Sequence, residues 1–154
     1  MKKILKKSGE LEYFLMSSAD DPRGFYSETG HIFASAAIRK ELDGYPINND
    51  DERLWICAFE GERLVGFRSF GYKNDEEAVF FDSWVHSDFR GNGIYRTMID
   101  LALKEIRKNG RTHVTAIANE KSLPILLKKG FEEVRKRGRF TYLRLEMPYK
   151  EDEK

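Results

Sequence analysis

A chain of 154 residues that is 40% apolar and 13% aromatic has material for a hydrophobic core and is not a disordered polymer. Its 27 basic and 26 acidic residues nearly cancel, so no global field draws it to nucleic acid or to a membrane surface. The single cysteine, Cys57 in "LWICAF", excludes an internal disulfide and reads as a buried, inert thiol.

The opening "MKKILKKSGELEYF" is basic but lacks the apolar segment of a signal peptide. Nothing later approaches the ~18 apolar residues a membrane helix requires. These features predict a cytoplasmic protein with neither a nucleic-acid nor a membrane partner. One domain is expected over residues 1–154, its core running from about 10 to 147, with a frayed "YKEDEK" tail.

In chain order, "EYFLM" (Glu12 to Met16) predicts a first strand, and residues 24–43 one or two helices on a loose helical period of Ile32, Phe33, Ala36 and Ile38. "GYPINNDDE" is loop. "LWICAFEGERLVGFRSF" reads as a hairpin turning at Glu60-Gly61-Glu62, and Ala78 to His86 as a long strand. Next comes a helix with Ile94, Tyr95, Met98, Ile99, Leu101, Ala102 and Ile106 on one face. Arg96, Asp100, Lys104 and Arg107 occupy the other, Asp100 and Lys104 being spaced to pair, and Gly110 ends the helix. "HVTAIAN" is a short strand. "SLPILLKKG" is a short helix capped by Ser122, because Pro124 is tolerated only in a first turn. Strands at Phe131 to Val134 and Phe140 to Met147 close the chain around the solvated turn "RKRGR". The order β, α, α, β, β, β, α, β, α, β, β predicts an α/β fold, a mixed sheet covered by helices.

The connection "WVHSDFRGNGIY" stands out. A helix that starts directly after a glycine turn leaves its first N–H groups pointing outward, and these donors with the positive helix end attract an anion. The glycines let backbone approach the anion closely, and Arg90 can add a charged bond to a phosphate oxygen. A phosphate or pyrophosphate on residues 90–95 is the chemistry called for; a glycine that merely turns the chain is the plain alternative. No Walker lysine follows the glycines, and no third glycine stands at dinucleotide-fold spacing.

"VHSDFRGNGIY" resembles motif A of the GNAT superfamily of N-acetyltransferases, Gln/Arg-x-x-Gly-x-Gly/Ala. Arg90 and Gly93 match it, while Tyr95 stands where a small residue is usual. "AIANEKSLPILLKKGFEEV" resembles motif B through Asn119, Ser122, Gly130 and Phe131. The resemblance spans residues 10–147. It implies a mostly antiparallel sheet whose fourth and fifth strands splay apart, and acetyl-CoA as co-substrate. By that resemblance the amides of Arg90, Gly91, Asn92, Gly93, Ile94 and Tyr95 would hold the coenzyme pyrophosphate. Backbone groups of Trp84, Val85 and His86 would pair with pantetheine and polarise the thioester. Asn119, with Ser122, would contact the pantetheine arm or its diphosphate end, or would only shape the turn. Asp82 is the candidate proton acceptor, or else a carboxylate that pairs a backbone donor. His86 faces solvent or the phosphates, and Trp84 serves as packing or lies beside the thioester.

The family's usual acid, a tyrosine four residues before the motif B glycine, is Leu126 here, which leaves water or Tyr142 to protonate the leaving thiolate. The implied function is acetyl transfer to a primary amine of a small molecule or peptide. The alternative is a coenzyme-binding module without efficient catalysis. Phe25, Tyr26, Glu28, Phe33, Tyr45, Arg139 and Tyr142 are the acceptor-side candidates. Glu28 and His31 lack a second His or Cys at ligand spacing, so no metal site is expected. The oligomeric state, monomer or homodimer, is left open.

Overall fold

The structure, a computed structural model, describes residues 1–147, so the "YKEDEK" tail lies outside the described residues. Its strands are β1 (Lys2–Ser8), β2 (Leu11–Met16), β3 (Leu54–Glu60), β4 (Arg63–Tyr72), β5 (Glu77–Val85), β6 (His113–Ala118), β7 (Glu132–Arg137) and β8 (Phe140–Glu146). Its helices are α1 (Pro22–Phe33), α2 (Ala36–Glu41), α3 (Ile94–Lys108) and α4 (Leu123–Lys128). The strands form a mixed, mostly antiparallel eight-stranded sheet in the order β1-β2-β3-β4-β5-β6-β8-β7. Strands β5 and β6 pair in parallel over Glu77–Val79 and His113–Thr115, although β5 runs six residues further. The expected fourth and fifth strands are thus β5 and β6, and their pairing stops early.

By its contacts the chain divides into two compact units, Met1–Ser69 with Asp82–Met98, and Phe70–Phe81 with Ile99 onward. The first unit is built around Met16, Phe25, Ile32, Trp55, Phe59, Phe67 and Trp84, with Cys57 fully buried among them. Burial raises the thiol pKa far above the ordinary cysteine value, in keeping with an inert group. The second unit buries Phe70, Phe80, Ile99, Leu103, Ile106, Leu126, Phe131 and Leu143.

Strand β1 was not expected. Its "KKILKKS" run sets two adjacent apolar residues among four lysines, with no alternation to signal a strand, and it pairs antiparallel with β2 as an exposed, charged edge that resists further strand addition. Lys2 lies across the surface, with Nζ 4.5 Å from the Phe14 ring centre and 2.6 Å from Glu28 Oε1. Residues 24–43 resolve into two helices. Asp21 caps α1 by accepting from the Gly24 N–H at 3.0 Å, and Ser35 caps α2 by accepting from the Ile38 N–H at 3.2 Å. "RKRGR" is only partly a turn, since β7 runs on through Arg137 and Gly138 turns the chain at φ +61°. On α3 the expected apolar face is buried except at Tyr95, with Leu103 added, but Asp100 pairs with the buried Lys129 at 2.8 Å.

Candidate active site

Strand β5 ends at Val85, a 3-10 turn covers Ser87–Phe89, and the glycine turn delivers the chain into α3 at Ile94. Gly91 and Gly93 have φ of +81° and +80°, the left-handed region that side-chain-bearing residues rarely adopt, so both positions require glycine. The first backbone bond of the helix runs from the Thr97 N–H to the Gly93 carbonyl at 3.0 Å. The helix therefore offers no acceptor for the N–H groups of Ile94, Tyr95 and Arg96. Asn92 steadies the turn by donating Nδ2–H to the Phe89 carbonyl at 3.2 Å. Open backbone donors at a helix start, with no Cβ at 91 or 93, fit a phosphate group.

The groups around this turn have partners of their own. Arg90 does not project freely: Nε donates to the Val85 carbonyl at 2.9 Å and Nη2 to Glu41 Oε2 at 2.8 Å. Trp84 is packing, 6% exposed against the core, and its Nε1–H donates to the same Glu41 oxygen at 2.8 Å. The His86 N–H is bonded to the Val65 carbonyl at 2.8 Å. Its ring lies between Arg63 Nη2, 2.9 Å from Nε2, and the Asp88 N–H, which donates to Nδ1 at 3.1 Å. Tyr95, finally, is only half-buried, and its hydroxyl accepts from Nη2 of the buried Arg68 at 2.7 Å. The apolar period of α3 concealed that polar partner on β4.

Asp82 lies on β5 with its side chain 30% exposed. Burial pushes its carboxyl above the usual carboxylate range, against the pull of Arg53, the Asn48 backbone and Arg68. Its backbone N–H donates to Ser69 Oγ at 3.0 Å. A carboxylate that holds a proton more readily than normal is suited to general-base work.

In the second unit, Asn119 shapes the turn before α4. Its Oδ1 accepts from the N–H of Lys121 at 3.0 Å, the N–H of Ser122 at 2.9 Å and Ser122 Oγ at 3.1 Å. Ser122 makes no side-chain cap bond, so the expected capping role belongs to Asn119. Tyr142 faces Ile117 and Arg135 across its two neighbouring strands, with the Arg135 guanidinium 4.4 Å from its ring centre. Leu126, at the expected acid position, is 2% exposed and belongs to the core.

Among the acceptor-side candidates, Phe25 is core, while Tyr26 is 44% exposed with its hydroxyl bonded to Asn49 Nδ2 at 2.9 Å. Glu41, which sequence reasoning missed, is the residue that α2 contributes to the glycine turn. Only its position at the end of a short helix signalled it. Among the described residues no cluster of three or more His, Cys, Asp or Glu could hold a metal, and no helix is long and apolar enough to cross a membrane.

The sequence profile of the acetyltransferase (GNAT) family matches residues 14–131. The chain belongs to that family. No curated protein sequence matches it significantly. Among solved structures, it is similar to an acyl-CoA N-acyltransferase from Pseudomonas aeruginosa, with TM-score 0.68 and 16% identity over 87% of this chain and 98% of that one. It also resembles the ribosomal-protein-S18-alanine N-acetyltransferase of Escherichia coli, with TM-score 0.64 and 17% identity over 86% and 90% of the two chains. A third is the PaiA N-acetyltransferase of Thermoplasma acidophilum in complex with coenzyme A, with TM-score 0.62 and 14% identity over 88% and 98%. At these identities the likeness is one of fold. Family membership carries acyl-CoA-dependent acetyl transfer as the general activity.

Proposed function

We propose that this protein is an N-acetyltransferase that moves an acetyl group from acetyl-CoA to a primary amine of a small molecule or peptide. The supporting observation is the turn at Arg90–Gly93, whose two left-handed glycines lead into α3 with the amides of Ile94, Tyr95 and Arg96 unclaimed by the helix. Those amides, with Gly91, Asn92 and Gly93, hold the coenzyme diphosphate, and Trp84 and Val85 contribute backbone groups towards pantetheine. Asn119 and Ser122 act on the coenzyme by shaping the turn into α4. Acetyl-CoA supplies an acetyl group activated as a thioester. Asp82, its carboxyl raised by burial, takes the proton of the amine directly or through water. As the C–N bond forms and the C–S bond breaks, a backbone N–H of β5 steadies the oxyanion, and Tyr142 or water returns a proton to the sulfur. The chain acts as one domain in the cytoplasm, as a monomer or homodimer.

The burial of Leu126 favours a second reading, a coenzyme-binding module with little catalysis. One pair of measurements separates the two. Acetyl-CoA should raise the melting temperature by mass action, and a panel of primary amines scored by released CoA thiol should contain a turned-over acceptor. A thermal shift without turnover of any amine selects the module; no shift at all removes both readings.

A further inference from the structure

Sequence reasoning gives Arg90 to the anion, but the structure gives its guanidinium to Glu41. The last residue of α2 places one carboxylate oxygen, Oε2, 2.8 Å from Arg90 Nη2 and 2.8 Å from Trp84 Nε1. Through Nε the same guanidinium grips the Val85 carbonyl at 2.9 Å, so it is oriented from both sides at the mouth of the glycine turn. The two contacts to Glu41 differ in exposure. Trp84 is 6% exposed, whereas the Arg90 and Glu41 side chains are 49% and 43% exposed, so water and ions reach the pair and it can exchange. A carboxylate within bonding distance of a guanidinium also offsets the attraction that guanidinium exerts on a second anion.

We propose that Glu41 is an internal competitor of the coenzyme diphosphate for Arg90. In the empty protein the carboxylate occupies the guanidinium. A diphosphate held on the α3 amides draws Arg90 away, and Glu41 keeps its bond to Trp84. When the product coenzyme leaves, Glu41 retakes Arg90, which lowers coenzyme affinity and speeds release. Glu41 thereby acts through Arg90 as a positioning residue. The proposal rests on the reading that residues 90–95 hold a coenzyme diphosphate.

The test is a double-mutant cycle with coenzyme A as the probe, titrated calorimetrically into the native protein, Glu41→Gln, Arg90→Ala and the double variant. The glutamine retains an oxygen for the Trp84 N–H. Glu41→Gln should bind coenzyme A about two- to fivefold more tightly, the factor that matches an exposed ion pair of roughly 0.4–1 kcal/mol. The coenzyme should dissociate more slowly by a similar factor. In the Arg90→Ala background the same substitution should change nothing. Glu41→Ala, which removes both contacts, should also tighten binding and keeps the test open if the glutamine retains Arg90. Weaker or unchanged binding in both Glu41 variants overturns the proposal. An equal gain without Arg90 overturns it too, since that would be simple repulsion between Glu41 and the ligand. If none of the proteins binds coenzyme A, the reading of residues 90–95 fails first, and the competitor role fails with it.

Discussion

Burial raises the pKa of the Asp82 carboxyl, so the folded chain binds this proton more tightly than the unfolded chain does. The sign of the linkage follows. Between the unfolded value near 3.9 and the raised native value, the native state carries more bound protons, and stability falls as pH rises through that window. Above it the ionised group remains a standing cost, because the Arg53 contact at 3.9 Å is long and does not outweigh desolvation. Asp82→Asn should therefore raise the melting temperature at pH 7, leave it nearly unchanged at pH 3, and depress acetyl transfer to any accepted amine. Thermal melts at the two pH values check this directly. A lower melting temperature at pH 7 would mean that Arg53, Arg68 and the Asn48 backbone stabilise the carboxylate by more than burial costs it.

The elements that carry the site were largely legible because their signals are local. The β3–β4 hairpin, the end of β5, the glycine turn and the apolar stripe of α3 each follow from short-range pattern. What was not legible depends on contacts distant in sequence. Glu41 reaches Arg90 across 49 residues, Arg68 reaches Tyr95 across 27, and Lys129 takes Asp100 from its helical neighbour Lys104. Edge strand β1 was hidden for the opposite reason, because its lysines answer to solvent and its apolar residues, Ile4 and Leu5, stand side by side with no alternation. Gly66 belongs to the same class. On β4 it reads as an unremarkable strand glycine, yet a Cβ there would meet the Trp84 carbonyl oxygen at 3.1 Å and Ile94 Cγ2 and Met98 Cε at 3.4 Å each. The missing side chain lets β4 lie close to the end of β5 and the start of α3. Gly66→Ala should cost roughly 1–3 kcal/mol, the usual penalty of overpacking, and should also weaken coenzyme A binding because the displaced groups adjoin the glycine turn. Chemical denaturation and calorimetry read the two effects. An unchanged stability would show that the backbone gives way without strain.

At the scale of the whole molecule, the proposed proton carriers lie in different units, Asp82 in the first and Tyr142 in the second. Leu126 is 2% exposed, so Leu126→Tyr cannot simply restore an acid. The larger ring must be forced into a filled core at a cost of about 1–3 kcal/mol. The acid therefore comes from elsewhere or is dispensable, and a thiol of pKa about 8.5 leaves readily enough near neutrality for water to suffice. Tyr142 separates these cases. Its ring lies under the Arg135 guanidinium, a contact that Phe preserves in shape, so Tyr142→Phe removes the hydroxyl with little change in packing. With an accepted amine, kcat/KM should rise with pH through neutrality as the amine loses its proton. If the Tyr142 hydroxyl is the acid, Tyr142→Phe should lower kcat roughly tenfold or more while leaving the affinity for acetyl-CoA intact. An unchanged kcat assigns the proton to water and leaves Asp82 as the only side chain that moves one. A parallel loss of coenzyme affinity would instead make Tyr142 a binding residue, and the pH profile of the variant, unshifted in that case, would distinguish the two.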